Sequence, residues 1–206
     1  MSALLGFAAT LVSLRLAAEL VGRARGSQGR SPELLAWAAA LFAYALAAAS
    51  LAAGAAGGWH DATFRVYYLF GGLLTVPLLA IGSLLRRGHR WPVPLGLAYA
   101  GLAVGVALAM PISPGVHGTA IPSAHDHLDV FPARVLAVAG NSLGTLAVVA
   151  VAVATIRRRP LGNGLILCGV GAAAIGSALT GVGEAATAAL LAAAAGLFYA
   201  GVVSSR

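Results

Sequence analysis

Seven continuous apolar stretches, joined by short polar or basic junctions, cover most of the 206-residue chain. They fall at about residues 2–21, 34–56, 64–85, 93–112, 133–156, 161–182 and 185–203, with a turn at Gly183-Glu184 between the last two. Each is near the ~20 residues a helix needs to cross a ~30 Å hydrocarbon core. None alternates apolar with polar positions, which removes a membrane β-barrel. The pattern predicts an all-α membrane protein, a compact bundle of seven transmembrane helices forming one domain over residues 1–206. The first stretch begins almost at Met1 without the basic leader of a cleavable signal peptide, so it is expected to stay as the first span.

Polar positions then orient the bundle. Arg23, Arg25 and Arg30, Arg86, Arg87 and Arg90, Arg157, Arg158 and Arg159, and Arg206 fall on one side of the predicted spans. Arg65, Arg134 and the acids Asp61, Asp126, Asp129 and Glu184 fall on the other. Cytoplasmic loops carry the basic excess, so the N-terminus is expected outside and the C-terminus in the cytoplasm. Most junctions are short, which makes consecutive helices antiparallel neighbours. The long one is the outer loop, residues 111–132, with four prolines and three of the five histidines. Loops of that length are often functional; a cover without ligand is the alternative.

Composition narrows the class. Hydrophobic residues make up 60% and charged ones 9% of the chain, against about a quarter charged in soluble domains. A soluble fold, a disordered chain and a disulfide scaffold are excluded. The formal charge of +7 belongs to membrane topology, not to nucleic acid, because the arginines are dispersed between apolar stretches. All 13 basic residues are arginine. Without lysine there is no Schiff base, hence no retinal linkage, and no phosphate-loop lysine. Cys168 is the only cysteine, so an intrachain disulfide is excluded. Richness in Ala, Gly and Arg suits a GC-rich prokaryotic genome.

Small-residue ridges are expected to form helix contacts: Gly101, Gly105 and Ala109 in the fourth stretch, and Gly169, Ala173, Ser177 and Gly181 in the sixth. Gly71-Gly72 and Pro77 predict a kink in the third.

Candidate chemistry rests on polar residues at membrane depth. Arg15 and Glu19 lie one turn apart on one face of the first stretch. They form either an ion pair facing a polar cavity or a pair in the cytoplasmic third, with Arg15 snorkelling to the headgroups. Arg65, Tyr68, Arg134 and Asn141, with Glu184 or Asp61 as counter-ion, would make an outer pocket for a small anionic or zwitterionic solute. The plainer alternative pairs the arginines with loop acids and leaves the tyrosines in an interfacial belt. In the outer loop His125, His127 and Asp129 alternate, so in an extended segment they share a face and offer a zinc site, with His117 as a fourth ligand. The alternative is a solvated loop. His60 and His89 lie near opposite interfaces and do not suit one haem.

Seven helices with an outer N-terminus resemble the rhodopsin and receptor layout, from which the missing lysine removes retinal. The topology is similar to the three-one-three arrangement of small sugar-efflux carriers, although Pro77 has no counterpart in the seventh stretch. The segment 65–72, with the Gly140-Asn141 and Gly162-Asn163 pairs, resembles bacterial seven-helix integral membrane proteins of no assigned activity. That resemblance implies the fold and no chemistry. The leading expectation is a carrier or binder of a small solute or ion, with a polar site opening outward between the first, third, fifth and seventh helices. The alternatives are a non-catalytic partner or sensor subunit and an outer-face metal-dependent enzyme. No catalytic residue is assigned. The expected partners are the lipid bilayer, a small-molecule ligand, and another membrane protein or a second copy.

Overall fold

Residues 2–26, 31–178 and 184–203 are described by the structure, a computed structural model. The elements in order begin with α1 (Ser2–Gly26) and α2 (Pro32–Gly57). A third long run follows without interruption, made of α3 (Asp61–Tyr67), a π-helical segment (Tyr68–Leu74) and α4 (Thr75–Arg86). Next come α5 (Pro92–Ala109) and a single turn, α6 (Ala124–His127). A wide turn (Val130–Arg134) leads into α7 (Val135–Thr155), followed by α8 (Pro160–Ala178) and α9 (Glu184–Val203). No strand occurs among the described residues.

Local chemistry sets several of these ends. Pro32, Pro92 and Pro160 open helices at a position where the missing N–H costs nothing. Gly58 closes α2 with φ +90°, a conformation that favours glycine, and its N–H returns to the Gly54 carbonyl at 2.9 Å. Arg23 and Arg25 in the last turn of α1 meet the negative end of its dipole.

Among the described residues five helices are long and apolar enough to cross a membrane: Ala3–Gly26, Pro32–Gly57, Asp61–Arg86, Pro92–Ala109 and Val130–Thr155. Their outward faces carry bare apolar side chains, among them Leu4, Leu97, Leu108, Phe131 and Leu143. A surface of that kind is stable against hydrocarbon and not against water. This is the construction of a membrane protein.

The helices pack as a closed ring. α1 lies on α2, α2 on α4, α4 on α7, α7 on α8, α8 on α9, and α9 returns to α1. Side-chain neighbours give the directions. Gly6 meets Ala48 and Ala52 while Leu20 clusters with Trp37 and Leu41, so α1 and α2 are antiparallel. Gly71 meets Ala47 and Gly82 meets Trp37, so the third run is antiparallel to α2. It is parallel to α7, because Gly72 pairs with Asn141 and Pro77 with Gly144. α5 stands outside the ring, against α4 and the π segment.

One sequence expectation changes here. The ridge of Gly101, Gly105 and Ala109 faces away from the fold, and a Cβ at either glycine would meet nothing. α5 packs instead through Ala103, Val106, Ala107 and Met110, whose larger side chains fill the space beside the widened π segment. In the sixth stretch Thr180 and Gly181, like Gly183 of the final turn, lie outside the described residues.

The loop after α5 is an ordered cap. Val116, Leu128 and Met110 are buried in one cluster with Trp59, Phe64 and Tyr68. Trp59 donates its backbone N–H to Gly118, and Val116 donates its own to Asp61 Oδ1 at 2.9 Å. The bundle therefore has a loop end, closed by this cap, and an arginine end, where Arg23, Arg25, Arg86, Arg87 and Arg157–159 collect.

Candidate functional site: a broken span and an axial chamber

Pro77 explains the middle of the third run. A proline nitrogen cannot donate to the carbonyl four residues back, which is that of Leu73, nor to that of Gly72 in a π register. Both carbonyls find donors on neighbouring helices. Tyr99 of α5 donates its hydroxyl to Leu73 at 3.0 Å, and Asn141 of α7 donates Nδ2 to Gly72 at 2.8 Å. Thr75 donates its hydroxyl to Phe70 at 2.7 Å. An unsatisfied backbone acceptor in hydrocarbon costs on the order of 1–3 kcal/mol, so these contacts hold the break in one geometry. Asn141 Oδ1 is buried and has no partner among the described residues.

The expected outer pocket is assembled differently. Arg65 donates to the carbonyls of Ala107 at 2.8 Å and Leu108 at 3.3 Å, capping the C-terminus of α5. Those are carbonyls the helix leaves orphaned at the negative end of its dipole. Tyr68 is buried and donates to Ala133. Arg134 donates to His125 Nδ1 at 2.7 Å. Arginine has no acceptor, so His125 receives that bond as a neutral ring with its proton on Nε2. Asn141 faces Gly72, and Asp61 holds the cap. Glu184 opens α9, and its side chain lies outside what the structure describes. A helix end thus engages Arg65 and the π segment engages Asn141, while Arg134 turns to a loop histidine. Replacing Arg65 by alanine should lower stability by about 1–2 kcal/mol, read as a drop in the detergent melting midpoint.

The loop histidines also have separate partners. His127 Nδ1 lies 2.8 Å from the Pro114 carbonyl and its ring meets Phe64 edge-on, while His125 takes the Arg134 bond. Among the described residues no three His, Cys, Asp or Glu side chains gather as a metal site. The short α6 turns successive residues in different directions, where an extended segment would have aligned His125, His127 and Asp129.

A chamber lies at the other end. Leu20, Trp37, Leu41, Leu79, Ser83, Val148, Ile166 and Tyr199 line it, so every helix of the ring, α1, α2, α4, α7, α8 and α9, contributes. It sits within about one turn of Arg23 and Arg86, whose guanidinium lies 5.3 Å from the Trp37 ring centre. It has room for roughly one water. Ser83 turns its hydroxyl back to the Leu79 carbonyl.

Beside the chamber, at the α1–α9 seam, Tyr199 donates its hydroxyl to Glu19 Oε2. Arg15 Nε lies 3.6 Å from Oε1, with the Arg15 side chain 82% exposed and that of Glu19 37%. Glu19 sits seven residues before the end of α1, about 10 Å along its axis. The other described acids lie at helix starts or in the cap. Arg15 points outward, while Glu19 bridges to a chamber-lining residue.

Sequence reasoning missed Tyr99 and the chamber. A signal existed for the first: Pro77 implies an orphaned carbonyl at Leu73, hence a donor to be sought. None existed for the second, because most of its lining is ordinary aliphatic residues. No protein family, curated protein or solved structure matches the chain.

Proposed function

We propose that the chain is a seven-span protein of a bacterial cell membrane, N-terminus outside and C-terminus cytoplasmic, that carries or binds a small solute along the axis of its helix ring. α8 and α9 have 19 and 20 residues. At 1.5 Å per residue these reach about 29 and 30 Å, enough to cross. The arginine asymmetry supports the orientation. The observation that carries the function is the chamber to which every helix of the ring contributes a wall.

The arrangement suits alternating access. The halves α1–α2–third run and α7–α8–α9 meet at two seams, α4 against α7 and α9 against α1. Among the described residues a polar contact closes each seam, Asn141 to Gly72 in one and Tyr199 to Glu19 in the other. Rocking of the halves would open the chamber to one face at a time. Arg65, Tyr68, Arg134 and Asn141 hold the scaffold in this reading and do not bind the solute.

Stopped-flow light scattering of proteoliposomes tests it, with glycerol, glycine, sodium acetate and tetramethylammonium chloride as osmotic probes. At least one probe should equilibrate several-fold faster than in protein-free liposomes. Val148→Leu, which adds one methylene to the chamber, should reduce that excess while the melting midpoint stays near that of the native chain. If every probe matches the empty liposomes, the carrier reading falls.

A further inference from the structure

We propose that the solute is a small apolar monocation of the alkyl- or arylammonium class, held in the chamber with Glu19 as its counter-charge. This rests on the reading of the chamber as the solute site and adds the solute's chemistry.

The walls decide against the other classes. An anion or a polyol needs several N–H or O–H donors in a buried site. The chamber has three such donors, the indole N–H of Trp37 and two hydroxyls, and both hydroxyls are engaged, Ser83 with Leu79 and Tyr199 with Glu19. Leu20, Leu41, Leu79, Val148 and Ile166 supply aliphatic surface for an apolar body. Trp37 and Tyr199 supply aromatic faces, which attract cations by their quadrupoles. Arg86 already lies over Trp37 at the arginine end, so the guest's charge is drawn toward the Tyr199 and Glu19 side.

Glu19 has capacity for a guest. A carboxylate accepts about four hydrogen bonds; here Tyr199 supplies one, and Arg15 stands at 3.6 Å on an exposed side chain. An ion pair so loosely set is worth little, and a carboxylate at that depth in a membrane seeks a partner. A quaternary or bulky cation is weakly hydrated, so moving it from water costs less than moving a metal ion. The chamber as described holds about one water, so entry requires the α1–α9 seam to part. The Tyr199–Glu19 bond is the latch, and the arriving charge takes the place of its hydroxyl.

Equilibrium dialysis of radiolabelled phenyltrimethylammonium against the full-length protein in mild detergent tests this. Saturable binding near one ion per chain is expected, displaced by tetrapropylammonium and not by neutral tert-butylbenzene. Glu19→Gln keeps an acceptor for Tyr199, so its melting midpoint should stay near that of the native chain while affinity falls at least tenfold. Val148→Leu leaves Glu19 in place, adds one methylene to the chamber and should weaken binding severalfold with the melting midpoint near native; it carries the test if Glu19→Gln fails to fold. Absence of saturable binding, or equal affinity in Glu19→Gln, overturns the proposal. Flux of glycerol or acetate that Val148→Leu reduces, without phenyltrimethylammonium binding, would leave the carrier reading standing and remove the cation alone.

Discussion

Replacing Gly140 by leucine is expected to lower stability by about 1–5 kcal/mol, a fall of roughly 2–20 °C in the melting midpoint. A Cβ at this position of α7 would meet the Tyr99 hydroxyl and come within 3.1 Å of its ring carbon Cε2. Helix propensity favours the change by about 1 kcal/mol, since glycine is the poorer helix former. Overpacking and a lost hydrogen bond oppose it more strongly. Forcing a side chain into a filled site costs about 1–3 kcal/mol. Displacing Tyr99 also takes its hydroxyl from the Leu73 carbonyl, at about 1–3 kcal/mol more. The clash therefore sets the sign. Thermal unfolding in detergent followed by circular dichroism checks it; an unchanged or raised midpoint would show that α5 does not brace the break.

Tyr99→Phe isolates the hydrogen bond from the packing and should cost about 1–2 kcal/mol, within the upper range measured for side-chain bonds in membranes. The informative experiment is the cycle with Pro77→Ala. Alanine at 77 brings back a backbone N–H four residues after Leu73, so the carbonyl no longer depends on Tyr99. In that background the loss from Tyr99→Phe should shrink to a few tenths of a kcal/mol, giving a coupling near 1 kcal/mol between residues on different helices. Additive losses would mean that proline and tyrosine are unrelated.

The fold was legible where one residue's environment is enough to state the physics. An apolar run of ~20 residues specifies a helix in lipid whatever surrounds it, because every backbone group must be satisfied within the segment. All-helical structure and the five long apolar helices follow from that alone. A departure from regular α-helix near Pro77 was legible too, since it is a local consequence of a missing donor. Its form was not: the π segment Tyr68–Leu74 depends on donors that Tyr99 and Asn141 bring from 26 and 69 residues away.

The candidate site was legible by residue type and not by role. Arg65, Tyr68, Arg134 and Asn141 were recognisable as polar groups at membrane depth, and polar groups there must be engaged. Whether a solute or the protein engages them depends on which orphaned carbonyl lies in reach. For Arg65 that is the end of α5, 42 residues away in sequence. His125 and His127 show the same limit, since a single turn of helix redirects side chains that an extended loop would have aligned.

Sequence by itself determined the solvent of this protein, the extent of its long apolar helices, and the asymmetric placement of its arginines, because each is a property of hydrophobicity and charge along the chain. Tertiary structure alone decided the closed order of the ring, the parallel contact of the third run with α7, the chamber, and the bridge from Glu19 to Tyr199, 180 residues apart. Helices in lipid associate by close packing and a few hydrogen bonds, not by hiding from water. Their partners are therefore chosen by shape, which a run of alanines, glycines and leucines does not reveal until the helices meet.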